Sequence, residues 1–142
     1  MRLTPLAVGL LALAVSCQRP VAVGPAWHAQ PSGLGIVDLV AGQGPAPRPA
    51  QVCVVEALGW IEEGGTRGRL FLDTRRRGYP ATFPVGVGRV IRGWDEGIAT
   101  MRVGGKRLLR VPPALGYSEQ EAGSDIPKGA TLVFEVELVG LQ

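Results

Sequence analysis

Between residues 131 and 139 apolar and polar side chains alternate with almost no fault. Leu132, Phe134, Val136 and Leu138 fall on one side, and Thr131, Val133, Glu135 and Glu137 on the other. A period of two belongs to an extended strand, whose successive side chains point to opposite faces. One dry face and one mostly wet face require an antiparallel sheet covered on a single side. The rest of the chain is cut into pieces of similar size. Its 21 glycines and 12 prolines in 142 residues supply turns throughout and leave little length for long helices. Residues 35–40, 51–58, 69–72 and 82–85 read as further short strands. Gly42-Gln43-Gly44-Pro45 and Gly64-Gly65 read as turns. Pro45, Pro47 and Pro49 impose an extended connection, and Arg75-Arg76-Arg77-Gly78 reads as a loop.

One helix stands out. In residues 92–101, Trp94, Ile98 and Met101 recur at i, i+4 and i+7, which lines them up on one stripe. Asp95 and Glu96 sit in its first turn, where negative charge suits the helix dipole, and Gly104-Gly105 closes the region. So short a helix is marginal alone and needs a sheet to lie on. The expected fold is therefore α+β: a curved antiparallel β-sheet wrapped on one short α-helix, in a single domain.

Composition removes several function classes. With 46% apolar residues the chain can bury one core, and 15 Lys and Arg against 12 Asp and Glu is too mild an excess for a nucleic-acid binder. The Arg75-Arg76-Arg77 run reads as a solvated face. The two cysteines, Cys17 and Cys53, make no metal-ligand spacing with the single histidine, His28, so neither a metal nor another cofactor is expected. Cys53 lies in the β-rich run Val52-Cys53-Val54-Val55 and reads as a buried free thiol.

The N-terminus reads as a targeting segment. Arg2 precedes the apolar run from Leu6 to Val15, far shorter than the ~20 residues a membrane-spanning helix needs. A charge, a short apolar core and small residues make a secretory signal, here residues 1–16. It ends in Leu13-Ala14-Val15-Ser16-Cys17, which resembles a bacterial lipobox whose cysteine is acylated. Residues 17–31, with Pro20, Gly24 and Pro25, then read as a lipidated tether and residues 32–142 as the folded domain. The expected location is the cell envelope, with a membrane anchor at Cys17. The expected state is a monomer.

Four blocks carry a family resemblance. Gly88-Arg89-Val90-Ile91-Arg92-Gly93-Trp94-Asp95-Glu96-Gly97-Ile98 is followed by Met101-Arg102-Val103-Gly104-Gly105-Lys106-Arg107. Next come Pro112 through Leu115-Gly116-Tyr117, then Ile126-Pro127-Lys128-Gly129-Ala130-Thr131-Leu132-Val133-Phe134. In this order and spacing they resemble FKBP-type peptidyl-prolyl cis–trans isomerases, over about residues 49–142. The resemblance implies an apolar, aromatic-walled pocket for proline-containing polypeptides. It implies Trp94 as the floor, with Val90 and Ile91 as a wall whose Ile91 N–H meets a substrate carbonyl. Tyr117 would offer a hydroxyl, with Phe134 and Ile126 closing the apolar side. It also implies Asp73 as the acidic partner of Arg77. Leu72 would stand in the aromatic place before Asp73, with a register using Phe71 as the alternative.

The chain departs from the family where small residues replace rings, at Ala57 and Ala81, and where Ser118 follows Tyr117. These changes imply a wider pocket, which Trp60 or Tyr79 could partly fill. Two functions fit: an isomerase assisting the folding of exported proteins, or a weakly catalytic binding module serving as envelope chaperone or adaptor.

Overall fold

A computed structural model of the chain describes residues 26–117 and 125–142. The signal segment, Cys17 and Ser118 lie outside the described residues. The elements are β1 (His28–Ala29), β2 (Gly35–Val40), β3 (Val52–Glu63), β4 (Thr66–Asp73), α1 (Thr74–Arg77), β5 (Ala81–Pro84), α2 (Arg92–Ala99), β6 (Lys106–Val111), a 3-10 turn (Pro113–Leu115) and β7 (Leu132–Leu141). The strands form one seven-stranded sheet in the order β1-β2-β6-β7-β3-β4, with β5 also paired to β3. Every pairing is antiparallel. This is the α+β arrangement expected: an antiparallel sheet wrapped on α2.

The alternating patterns explain which face is dry. Along β3, Cys53, Val55, Ala57, Gly59 and Ile61 are buried while the residues that alternate with them are partly exposed. In β7, Leu132, Phe134, Val136 and Leu138 point into the core as expected, and Val133 is buried as well. Against this face lies α2, with Trp94, Ile98 and the following Met101 in the core cluster. Two glycines set how closely it lies. A Cβ at Gly93 would stand 2.7 Å from the Val111 methyls, and one at Gly97 would stand 2.6 Å from Leu109 Cδ2. The helix thus rests its backbone directly on β6 side chains.

Polar ties fix the helix ends. Arg107, only 8% exposed on β6, donates to Gly97 O at 2.7 Å and Thr100 Oγ1 at 2.5 Å, and pairs with Asp38 of β2 at 2.7 Å. One guanidinium therefore satisfies a carbonyl at the open C-terminal end of α2 and joins it to two strands. At the other end the Asp95 carboxylate accepts from Gly86 N–H at 2.8 Å and Gly88 N–H at 2.9 Å. Asp95 thus clamps the loop before the helix, a role beyond complementing the dipole. Outside the core, Arg110 makes a two-pronged pair with Glu62, at 2.7 and 2.8 Å, that bridges β6 and β3 across β7.

Two local expectations are corrected, and one strand is added that the sequence did not mark. The sheet begins inside the segment assigned to the tether, because His28 and Ala29 pair with Ile36 and Gly35, and Trp27 packs over Gly35. The ordered domain therefore starts before residue 32. The Arg75–Arg77 run is a helical turn instead of a loop. Asp73 Oδ1 accepts from Arg76 N–H at its start, and Gly78 at φ 91° donates to Thr74 O and Arg75 O at its end. The added strand, β6, carries no alternation: Arg107, Leu108 and Leu109 are all buried in succession.

Candidate active site

A cavity of about 540 Å³ is lined by Phe71, Leu72, Arg77, Ala81, Gly88, Arg89, Val90, Ile91, Trp94, Tyr117, Ile126 and Phe134. The start of α2 forms one side. Ile91 is its N-cap, at φ −56° and ψ 149°, with no side-chain cap. Among the described residues no acceptor meets the Ile91 N–H, so a donor stands beside the apolar wall of Val90 and Ile91. From β7 comes Phe134, and from the loops on either side of residues 118–124 come Tyr117 and Ile126.

The aromatic rings meet edge to face. Trp94 and Phe134 have centroids 5.4 Å apart at 79°, and Phe71 and Phe134 are 5.7 Å apart at 83°. Phe83, from β5, backs Trp94 at 5.6 Å. Such pairs contribute about 0.5–1.5 kcal/mol each beyond their buried area. Trp94 is 6% exposed, and its Nε1 has no hydrogen-bond partner among the described residues. An unpaired buried donor costs about 1–3 kcal/mol. That cost falls on the ring in the cavity lining.

Leu72 and Phe71, the two candidates for the aromatic place, both line the cavity. Gly59 faces Leu72, yet the next residue, Trp60, faces Leu70. Phe71 is thus an extra residue in β4, a β-bulge that breaks the alternation and turns two consecutive side chains to one side. Space for them comes from Gly59, where a Cβ would lie 2.9 Å from Phe134 Cε1 and 3.0 Å from Phe71 Cζ. The ring missing at position 72 is supplied one residue earlier.

Other assignments shift. Asp73 does not line the cavity; its carboxylate caps α1. Arg77 does line it, but is held by Tyr79, with Nε donating to Tyr79 O at 3.0 Å and Cζ 4.3 Å over the ring. No ion pair joins Arg77 to Asp73 among the described residues. Ala81 borders the cavity, as its small size implies. Ala57 does not: it is buried, and its N–H donates to Thr74 Oγ1 at 2.9 Å. Trp60 lies under Arg67 at 4.4 Å and does not fill the cavity, nor does Tyr79, which is 61% exposed. Two lining residues were not singled out in the sequence as site residues, Gly88 and Arg89. Both sit in the loop that Asp95 clamps, and their place beside Val90 in the motif was the available signal.

Fold and cavity together define an antiparallel sheet wrapped on a helix, with a cavity walled by aromatic rings and a backbone donor at its rim. The model of one family, the FKBP-type peptidyl-prolyl cis-trans isomerases, matches residues 44–139. FK506-binding protein of Neisseria meningitidis serogroup B (strain ATCC BAA-335 / MC58) is 46% identical over 107 residues, 75% of this chain and 94% of that protein. FK506-binding protein 4 of Dictyostelium discoideum is 46% identical over 109 residues, 77% of this chain but only 28% of that longer protein. The crystal structure of AtFKBP13 superposes with a TM-score of 0.73 at 37% identity, covering 82% of this chain and 98% of that one. The chain belongs to the FKBP-type peptidyl-prolyl cis-trans isomerase family.

Proposed function

We propose that this protein catalyses cis–trans isomerisation of X–Pro bonds in exported polypeptides, acting as a monomer held at a membrane through an acylated Cys17. The observation that carries the catalytic part is the cavity where Trp94, Phe134 and Phe71 meet beside the Ile91 N–H, which no acceptor among the described residues meets. Rotating a peptide bond sacrifices amide resonance, a barrier of about 18–20 kcal/mol. For X–Pro the uncatalysed exchange takes tens to hundreds of seconds. No bond breaks, so the reaction asks for no nucleophile or general acid. The twisted amide is less polar than the planar one, and an apolar pocket therefore favours it over the ground state. In this scheme the proline ring rests on Trp94, the Ile91 N–H and Tyr117 orient neighbouring carbonyls, and Phe134, Val90 and Ile126 exclude water.

Support for export lies in the sequence alone: Arg2, the short apolar run and Leu13-Ala14-Val15-Ser16-Cys17. Acyl chains on Cys17 would contribute about 0.8 kcal/mol per buried methylene, and two or more give stable anchoring.

The test is exchange of X–Pro peptides by the full chain carrying Cys17→Ser, compared with the same chain also carrying Trp94→Leu, which keeps apolar bulk. The expected result is clear acceleration by the first and a loss of about 10-fold in the second, near one aromatic contact's worth of stabilisation. A folded protein that leaves the spontaneous rate unchanged for every X would overturn the enzyme and leave the binding module. Membrane fractionation of the unmodified chain and Cys17→Ser tests the anchor, which fails if both sediment with membranes.

A further inference from the structure

We propose that Arg77 and Arg89 make the cavity selective for proline segments that carry a carboxylate side chain beside the proline. The inference rests on the isomerase reading of this cavity and names its substrate class. Two guanidinium groups and no Asp or Glu side chain are among the residues lining it. Both arginines are exposed. The ion pairs among the described residues join Arg75 and Lys106 to Glu137, Arg107 to Asp38 and Arg110 to Glu62, and none involves Arg77 or Arg89.

The acids nearest in sequence are already engaged. Asp73 caps α1 through the Arg76 N–H, and Asp95 holds the Gly86 and Gly88 N–H groups. Glu119 and Glu121 lie in residues 118–124, outside the described residues. Arg77 is also positioned: its Nε donates to Tyr79 O and its Cζ stands 4.3 Å from the centre of the Tyr79 ring, which leaves its terminal nitrogens for an incoming acceptor. Arg89 stands next to Val90 in the cavity wall. An apolar cleft rimmed by charge of one sign concentrates the field there and draws in the opposite sign. Because both groups are exposed, each carboxylate contact is worth about 1.4- to 5-fold in affinity, and it weakens as salt rises.

The test uses the full chain with Cys17→Ser and peptides that differ only beside the proline, with Glu, Gln or Lys in place of each flanking residue. Two readouts are taken: kcat/KM for isomerisation, and binding by fluorescence anisotropy of labelled peptides. The expected order is Glu above Gln above Lys at low salt, expressed in KM and binding and little in kcat, and collapsing at about 0.5 M salt where charges are screened. In Arg77→Gln/Arg89→Gln the ratio of Glu-peptide to Gln-peptide use and binding falls to about one, whatever the change in the Gln peptide itself. Equal use of Glu and Gln peptides, or a preference that survives in the double variant, overturns the proposal. If no peptide is isomerised but the Glu peptide binds best and the preference needs the arginines, catalysis fails and the charge selectivity stands.

Discussion

Replacing Gly59 by Ala tests the packing that builds the cavity wall. The new methyl carbon would lie 2.9 and 3.0 Å from Phe134 Cε1 and Cδ1, and 3.0 Å from Phe71 Cζ. Carbon atoms in comfortable contact lie about 3.5–4.0 Å apart, so the rings must retreat by about 0.5–1 Å. Phe134 is 2% exposed and already abuts Trp94, which leaves little room to give. Overpacking of this kind costs about 1–3 kcal/mol, against about 0.4–1 kcal/mol gained because Ala restricts the unfolded chain more than Gly. The net loss expected is about 1–2 kcal/mol, or a fall in Tm of roughly 4–15 °C. Thermal and urea unfolding of the four members of a cycle with Phe71→Ala measure it. With the Phe71 ring gone, Phe134 can swing into the vacated volume and the cost of Gly59→Ala should fall by at least half. A Gly59→Ala protein as stable as its parent, or an equal cost in both backgrounds, would refute the bulge packing.

Gly97→Ala should also destabilise, by about 1–3 kcal/mol, although Ala is favoured over Gly in helices by about 1 kcal/mol, because the methyl would strike Leu109 Cδ2 at 2.6 Å; urea midpoints decide the sign. Arg107→Met removes the donor to the buried Gly97 carbonyl and should cost about 1–3 kcal/mol, with faster amide exchange at the end of α2 as its local signature. The hydrogen bond and charge of Arg110 hold the Glu62 carboxyl below its ordinary value of 4.5, outweighing the opposing effect of burial. A depressed folded-state pKa stabilises the fold above the unfolded value and is lost as pH falls through the folded one. Denaturation across pH 2–7 should therefore show wild type ahead of Glu62→Gln at neutral pH, the gap narrowing only below about pH 4.5; a gap independent of pH would rule the pair out as its source.

Strand β7 was legible because its alternation runs with scarcely a fault, and α2 because Trp94, Ile98 and Met101 keep helical spacing. Strand β6 was not, since Arg107 sits among consecutive buried residues. Its charge is tolerated inside only because Asp38, Gly97 and Thr100, distant in sequence, converge on it. The two residues of β1 are too few to show a period. For α1 the signals existed, an Asp before it and a Gly after it, but one turn is too short for a hydrophobic stripe. Most lining residues followed from motif position. The shared role of Phe71 and Leu72 did not, because a bulge is a property of two strands in register and neither strand alone encodes it. The cap that Asp73 makes on α1 did not show either, because it depends on the turn that brings the Arg76 N–H, three residues on, back to its carboxylate.

The pairing of β3 has a further consequence. Its first half pairs with β5 and its second half with β4, and between them the Ala57 N–H is met by the Thr74 hydroxyl. That single oxygen carries the hydrogen-bond ladder across a gap between two strands, and residues 75–80 arch outward from it like a bridge deck on fixed piers. Asp95 does the same for residues 86–88. The lip of the pocket is thus hung on anchors that do not themselves face the guest. Apart from Arg75, which pairs with Glu137 of β7, side chains on the arches can change without disturbing the sheet, so this architecture lets taste for a client drift while the capacity to fold stays put.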